Sequence, residues 1–224
     1  MGGPEGPLGG RRLYLCTSDR PDLQRFLDGC IRGGVDLVQL RDKVLDARSL
    51  LRRAVLAKAV CAEAGVPLIL NDRPDLALQA EADGVHLGQD DAPASLARRL
   101  LGPHAIVGLS THAPAELEAS AAEPVDYVST GPVSPTPTKP VRPGTGLDYL
   151  AVAASVATRP FFVTGGVNPD TVEAMLAAGA RRFVVVRYLG ESHDPETAAR
   201  ALRRIIDAGW ERSGPRRLAI QPSQ

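Results

Sequence analysis

The chain has 224 residues, 44% of them hydrophobic, with 26 Lys and Arg set against 26 Asp and Glu. That length suits one domain with a sizeable core, the apolar content excludes a disordered chain, and the charge balance excludes the basic excess expected of a nucleic-acid binder. No apolar run approaches the ~20 residues of a membrane span. The cysteines Cys16, Cys30 and Cys61 are odd in number, form no CxxC pair and sit in or beside apolar runs. They read as buried thiols in a reducing cytoplasm.

Residues 1–11 are rich in Gly and Pro and lack the apolar stretch of a signal peptide, so they read as a tail. Residues 211–224 read as another, leaving one catalytic domain over 12–210. Eight short runs rich in β-branched residues follow in order: RLYLCT from Arg12, VDLVQLR from Val35, PLILND from Pro67, GVHLG from Gly84, AIVGLST from Ala105, DYVSTGP from Asp126, PFFVTGG from Pro160 and RFVVVRY from Arg182. Most are continuously apolar, as parallel strands buried on both faces require. Amphipathic helices are expected between them. Their apolar stripes are Leu51, Val55 and Ala59 in one, Val172, Met175 and Leu176 in another, and Ala198, Leu202, Ile205 and Ile206 in the last.

Asn168-Pro169 and Asp194-Pro195 each place a capping side chain before a Pro at the first helical position. Gly65, Gly102 and Gly179 mark helix ends. A strand–helix unit repeated eight times in about 200 residues predicts an α/β fold, a single (β/α)8 TIM barrel. The alternative, an open doubly wound sheet, lacks its GxGxxG after the first strand.

In such a barrel the active face lies at the C-terminal strand ends, and here those ends are rich in polar groups. Strand two ends in Gln39, Arg41 and Lys43, strand three in Asn71 and Asp72, and strand four runs into Asp91. Strand five ends in Ser110, strand seven in Gly165-Gly166, and strand eight in Val186-Arg187. Two carboxylates on adjacent strands, Asp72 and Asp91, suit Mg2+, which takes one or two carboxylates and completes its shell with water and phosphate oxygens. They equally suit caps for the following helices. Arg41 and Lys43 add the charge a diphosphate needs, or else pair with Asp42. The Gly165-Gly166 turn before Asn168 offers backbone N–H groups to an anion. The long sixth loop, residues 133–146, carries Thr136, Thr138, Lys139 and Arg142 and reads as a substrate lid or as a plain surface loop. His86, within a strand, reads as a hydrogen-bonded core residue.

The segments QLRDK, LILNDR, GVHLGQDD, VGLSTH, STGPVSPTPTKP and VTGGV occur in that order, each at the end of a predicted strand. Together, over residues 12 to 207, they resemble the thiamine-phosphate synthase family. The resemblance implies a transferase of thiamine biosynthesis. It would join 4-amino-2-methyl-5-hydroxymethylpyrimidine diphosphate to a thiazole phosphate, plain or carboxylated, and release pyrophosphate with Mg2+ as cofactor.

It also implies residue roles. Gln39, Arg41, Lys43 and Asn71 would bind the pyrimidine diphosphate, and Asp72 and Asp91 would hold Mg2+. Ser110 would sit near the reacting centre, with Arg41 and Lys139 as its partners in catalysis. Thr136, Thr138 and Lys139 would contact the phosphates, and Gly166, Val186 and Arg187 would meet the thiazole phosphate. Some relatives carry Ser where this chain has Arg187. Two rivals share parts of this pattern, a thiazole tautomerase and a non-catalytic phosphate-binding barrel. As the resemblance has it, the tautomerase uses a His directly after the glycine that ends strand six, where this chain has Pro132. The partners implied are small molecules, with no nucleic acid and no membrane; a homo-oligomer is left open.

Overall fold

The computed structural model describes residues 8–135 and 143–213. Eight parallel strands close into a barrel in sequence order: β1 (Leu13–Thr17), β2 (Leu37–Leu40), β3 (Leu68–Asn71), β4 (Gly84–Leu87), β5 (Ile106–Thr111), β6 (Tyr127–Thr130), β7 (Phe161–Val163) and β8 (Phe183–Val185). β8 returns to β1 with Leu13 beside Phe183 and Tyr14 beside Val184. All eight predicted strands are present, each shorter than its apolar run.

Helices α1 (Leu23–Arg32), α2 (Ala47–Glu63), α3 (Pro74–Gln79), α4 (Ala94–Leu101), α5 (Pro114–Ala119), α6 (Gly146–Val156), α7 (Pro169–Ala177), α8 (Arg187–Gly190) and α9 (Pro195–Ser213) carry the chain around the outside. Alternate strand residues point in and out. The outward set, including Leu15, Val38, Leu70, Val85 and Val107, packs against the helices in one large core cluster. The inward set, Tyr14, Leu37, Ile69, Ile106, Tyr127, Phe162 and Val184, fills the barrel.

The end signals fall where expected. The Asn168 side chain accepts from the backbone N–H groups of Asp170 and Thr171 in a reciprocal capping box, and Asp194 accepts from Thr197 N at 3.0 Å. The stripe read for α2 is corrected. Leu50, Ala54, Ala57 and Cys61 are its buried face, and Val55 is half exposed. This helix is apolar on more than one side, so spacing alone did not select the face that meets the barrel. In α9 the fully buried positions are Ala199, Leu202 and Ile206.

The N-terminal end of the barrel is closed by charge pairs and a plug. Asp36 accepts from Leu13 N and from Arg203 Nη1, Asp83 from Leu68 N and Lys58 Nζ, and Asp126 from Val107 N and Arg98 Nη2, all at 2.7–3.0 Å. Each Asp directly or nearly precedes its own strand and ties down the start of the preceding one. Burial pushes the Asp36 carboxyl up, opposed by the Arg12 N–H and the Arg203 guanidinium. Leu8, in the stretch read as a tail, is fully buried against the inward side chains. Arg182 holds its flank by donating to Gly9 O and Arg11 O. The three cysteines are buried and form no disulfide among the described residues, and burial pushes the thiols of Cys30 and Cys61 up to about 12.

Candidate active site

The C-terminal end of the barrel opens into a cavity of about 280 Å³. Gln39, Arg41, Ser110, Gly166, Val186 and Arg187, six residues expected at the site, line it. Tyr14, Cys16, His86 and Ser129 line its depth. The β6–α6 connection also reaches it through Pro132, which follows a cis Gly131–Pro132 bond.

Gly165 and Gly166 have φ of 95° and 81°, a region side chains rarely adopt. A Cβ on Gly165 would lie 2.6 Å from Pro132 Cβ and from Val133 N, so only glycine lets the β6 and β7 loops approach. The loops are joined by Val133 N donating to Thr164 O at 2.8 Å. Thr171 Oγ1 donates to Gly166 O at 2.6 Å, tying the glycine pair to the first turn of α7. Among the described residues, the N–H groups of Gly165, Gly166 and Val167 meet no acceptor. Three unpartnered donors beside the start of α7 form a concavity suited to an anion.

A second group lies on the adjoining strand ends. Asp72 follows β3 with φ 61°, a left-handed conformation that Asp tolerates, held by its N–H donating to His86 O at 2.8 Å. Lys43 Nζ lies 2.9 Å from Asp72 Oδ2, and Asp91 Oδ2 accepts from Gly88 N at 2.7 Å. Burial first, and then the nearby Asp72 carboxylate, push the Asp91 carboxyl up. Two crowded, partly buried carboxylates beside one lysine are a set that a hard cation relieves. Neither Asp caps a helix: the residues before α3 and α4 are Arg73 and Pro93, without side-chain caps. Nor does Lys43 pair with Asp42, whose carboxylate accepts from the N–H groups of Asp19, Val44 and Leu45. Among the described residues, no group of three or more His, Cys, Asp or Glu side chains gathers as a metal site. Asn71, buried at the end of β3, neighbours His86 in register.

Arg187 is corrected in one respect. It does not end strand eight, because β8 stops at Val185. Arg187 opens the one-turn helix α8, where it lines the cavity mouth, exposed. Neither Glu191 nor Asp194, the nearby carboxylates, pairs with it, and among the described residues its guanidinium makes no ion pair. Thr136, Thr138, Lys139 and Arg142 lie outside the described residues.

The sequence reading passed over the barrel's polar interior. Gln39 Nε2 donates to Tyr14 Oη at 2.7 Å, Tyr14 Oη lies 2.9 Å from Tyr127 Oη, and Tyr127 Oη lies 3.0 Å from His86 Nδ1. His86 Nε2 then lies 2.9 Å from Ser110 Oγ. Both phenols are wholly buried, and burial above all pushes each above the ordinary phenol value, so both keep their protons. The signal was available in alternation: residues 14, 39, 86, 110 and 127 all occupy inward positions.

A barrel whose closed face is built for stability and whose open face combines paired carboxylates, cations and unpartnered N–H groups defines a phosphate-handling TIM-barrel protein. Residues 13–189 match the family described as thiamine monophosphate synthase. A protein of Thermobifida fusca (strain YX) named thiamine-phosphate synthase is 51% identical over 203 residues, 88% of this chain and 93% of that one. A protein of the same name from Acidothermus cellulolyticus (strain ATCC 43068 / DSM 8971 / 11B) is 46% identical over 197 residues, 86% of this chain and 93% of its own. The solved thiamine phosphate pyrophosphorylase from Pyrococcus furiosus superposes with a TM-score of 0.80 at 26% identity, covering 89% of this chain and 97% of that one. The chain belongs to the thiamine monophosphate synthase family. Among the described residues no helix is long and apolar enough to cross a membrane.

Proposed function

We propose that this barrel joins a pyrimidine methyl diphosphate to a thiazole phosphate, giving thiamine phosphate and pyrophosphate. The observation that carries the reading is the mouth itself. Arg41 lines it after β2, and the residues with unpartnered N–H groups, Gly165, Gly166 and Val167, line it after β7; the Lys43–Asp72–Asp91 group follows the strand ends from β2 to β4. A cationic region and an N–H region on one cavity suit two phosphorylated substrates.

In this reading Asp72 and Asp91 hold Mg2+, which supplies positive charge against the growing charge of the departing pyrophosphate. Arg41 and Lys43 bind the same diphosphate and stabilise its developing charge from the protein side. Gln39, Asn71 and Ser110 orient the pyrimidine. The Gly166 N–H, with Val186 and Arg187 at the adjoining strand end, holds the thiazole phosphate. The bond between the methylene carbon and the diphosphate oxygen breaks with its electron pair on oxygen. The aminopyrimidine ring delocalises the charge left on carbon, and the thiazole nitrogen lone pair forms the new C–N bond. No protein nucleophile or redox partner is required. Thr136, Thr138 and Lys139 are proposed to close over both phosphates and exclude water.

The test is to mix purified protein, Mg2+ and both substrates and assay thiamine phosphate and pyrophosphate together. Tight thiazole-phosphate binding with no pyrophosphate would instead make the protein a binding barrel. Isomerised thiazole without pyrophosphate would make it a tautomerase.

A further inference from the structure

The hydrogen-bonded chain inside the barrel has a direction that follows from counting its protons. An amide nitrogen only donates. Cys16 Sγ donates to Gln39 Oε1 at 3.4 Å, which leaves Gln39 Nε2 to donate to Tyr14 Oη. Among the described residues the Tyr14 proton has no acceptor other than Tyr127 Oη, so it points there. The Tyr127 proton in turn has one place left to go, His86 Nδ1. An imidazole that accepts at Nδ1 carries its proton on Nε2 and donates it to Ser110 Oγ. Ser129 Oγ also donates to Ser110 Oγ, at 3.4 Å. With these two donors directed at its oxygen, the Ser110 hydroxyl hydrogen meets no acceptor among the described residues, and Ser110 lines the cavity.

The chain depends on a specific packing arrangement. Tyr127 reaches across the barrel because β5 carries Gly108 opposite it in register. A Cβ at 108 would fall 2.1 Å from Tyr127 Cζ and 2.4 Å from Oη. Phe162 and Tyr14 pack edge-on against the Tyr127 ring, with centroids 5.4 and 6.0 Å away, and the His86 ring stacks on it at 5.5 Å. The phenol is therefore fixed in place by shape, and its hydroxyl is fixed by its two neighbours.

We infer that Tyr127, backed by Tyr14, is a positioning residue that holds His86 as its Nε2–H tautomer and thereby makes Ser110 a hydrogen-bond donor toward an acceptor atom of the bound substrate. The role of Ser110 rests on the function proposed above; the tautomer does not. Reversing the chain would turn Ser110 into an acceptor, so the barrel interior selects which atom of a ligand can face it.

Long-range 1H–15N correlation spectra of the labelled, ligand-free protein read the tautomer of His86 directly. The expected result is a single Nε2–H form in the unaltered chain and a mixture in Tyr127→Phe. Tyr14→Phe, which cuts the chain two links away from the imidazole, should also give a mixture. Both variants should lose about 5- to 10-fold in kcat/KM for the pyrimidine diphosphate, the loss of about one neutral hydrogen bond. An Nδ1–H ring in the unaltered protein overturns the inference without any variant. A pure Nε2–H ring in both variants overturns it too, since a merely structural tyrosine would leave the imidazole unmoved. The spectra need no substrate, so an Nε2–H ring in a protein that makes no thiamine phosphate supports the positioning role while sinking the activity.

Discussion

At the N-terminal end of the barrel Asp36, Asp83 and Asp126 each accept a backbone N–H and each face a cation. At the C-terminal end Asp72 and Asp91 crowd each other and one lysine pairs with Asp72, while among the described residues a row of backbone donors meets no acceptor. The residue types are the same. What differs is whether the protein satisfies them itself. The three aspartates of the closed end are matched internally and serve the fold; the groups left over at the open end suit a ligand. The contrast predicts that substitutions at the two ends separate stability from activity.

The largest stability effect is expected at the closed end. Leu8→Ala removes a fully buried side chain, and such truncations cost about 2–5 kcal/mol. Denaturant unfolding should show that loss while kcat stays within about twofold. The largest activity effect is expected at the open end. Asp91→Asn should lower kcat at least ~10²-fold, as the loss of other electrostatic stabilisers does, with a melting temperature no lower than that of the unaltered protein. Full activity in this variant would remove Asp91 from the metal site.

Asp126→Ala takes the acceptor from Val107 N and the partner from Arg98. For this partly exposed pair the expected cost is about 1–2 kcal/mol of stability, with KM unchanged for both substrates. A kinetic defect there would blur the division between the two ends. The smallest effect concerns Arg187→Ser. If the guanidinium adds to the backbone donors at the rim, thiazole-phosphate affinity measured by titration should fall about tenfold while pyrimidine-diphosphate affinity holds. Equal affinity in the two proteins would leave the phosphate to the backbone alone.

Much of this architecture is legible in the sequence because it is local. Eight β-branched runs, the Asn168-Pro169 cap and the glycines past helix ends each report a preference set within a few residues. The family segments sit at strand ends, so the carboxylate and cation set could be placed on one face. Two things resisted. The turn at Val186 is hidden inside an unbroken apolar run, because a strand's end depends on where its neighbours stop pairing; β8 needs only Phe183–Val185 to meet β1. The Gln39–Tyr14–Tyr127–His86–Ser110 chain draws on five strands, and only barrel closure brings those residues together. His86 was readable as a buried, bonded histidine; its partners and its place on the cavity wall were not.

Gly108 and Tyr127 together have a consequence for how this fold varies. The space inside a closed eight-stranded barrel is set by its strand number and stagger, so the two positions share one fixed allotment of volume. A methyl group gained at 108 must be surrendered at 127, and the hydroxyl goes with the ring. Among barrels of this kind, a side chain at the position of Gly108 should therefore coincide with a small residue at the position of Tyr127 and with some other device to orient the histidine. Paired exchange at these two sites, found in an alignment or made in the laboratory, would trace how the interior of a barrel can be rewired without moving its wall.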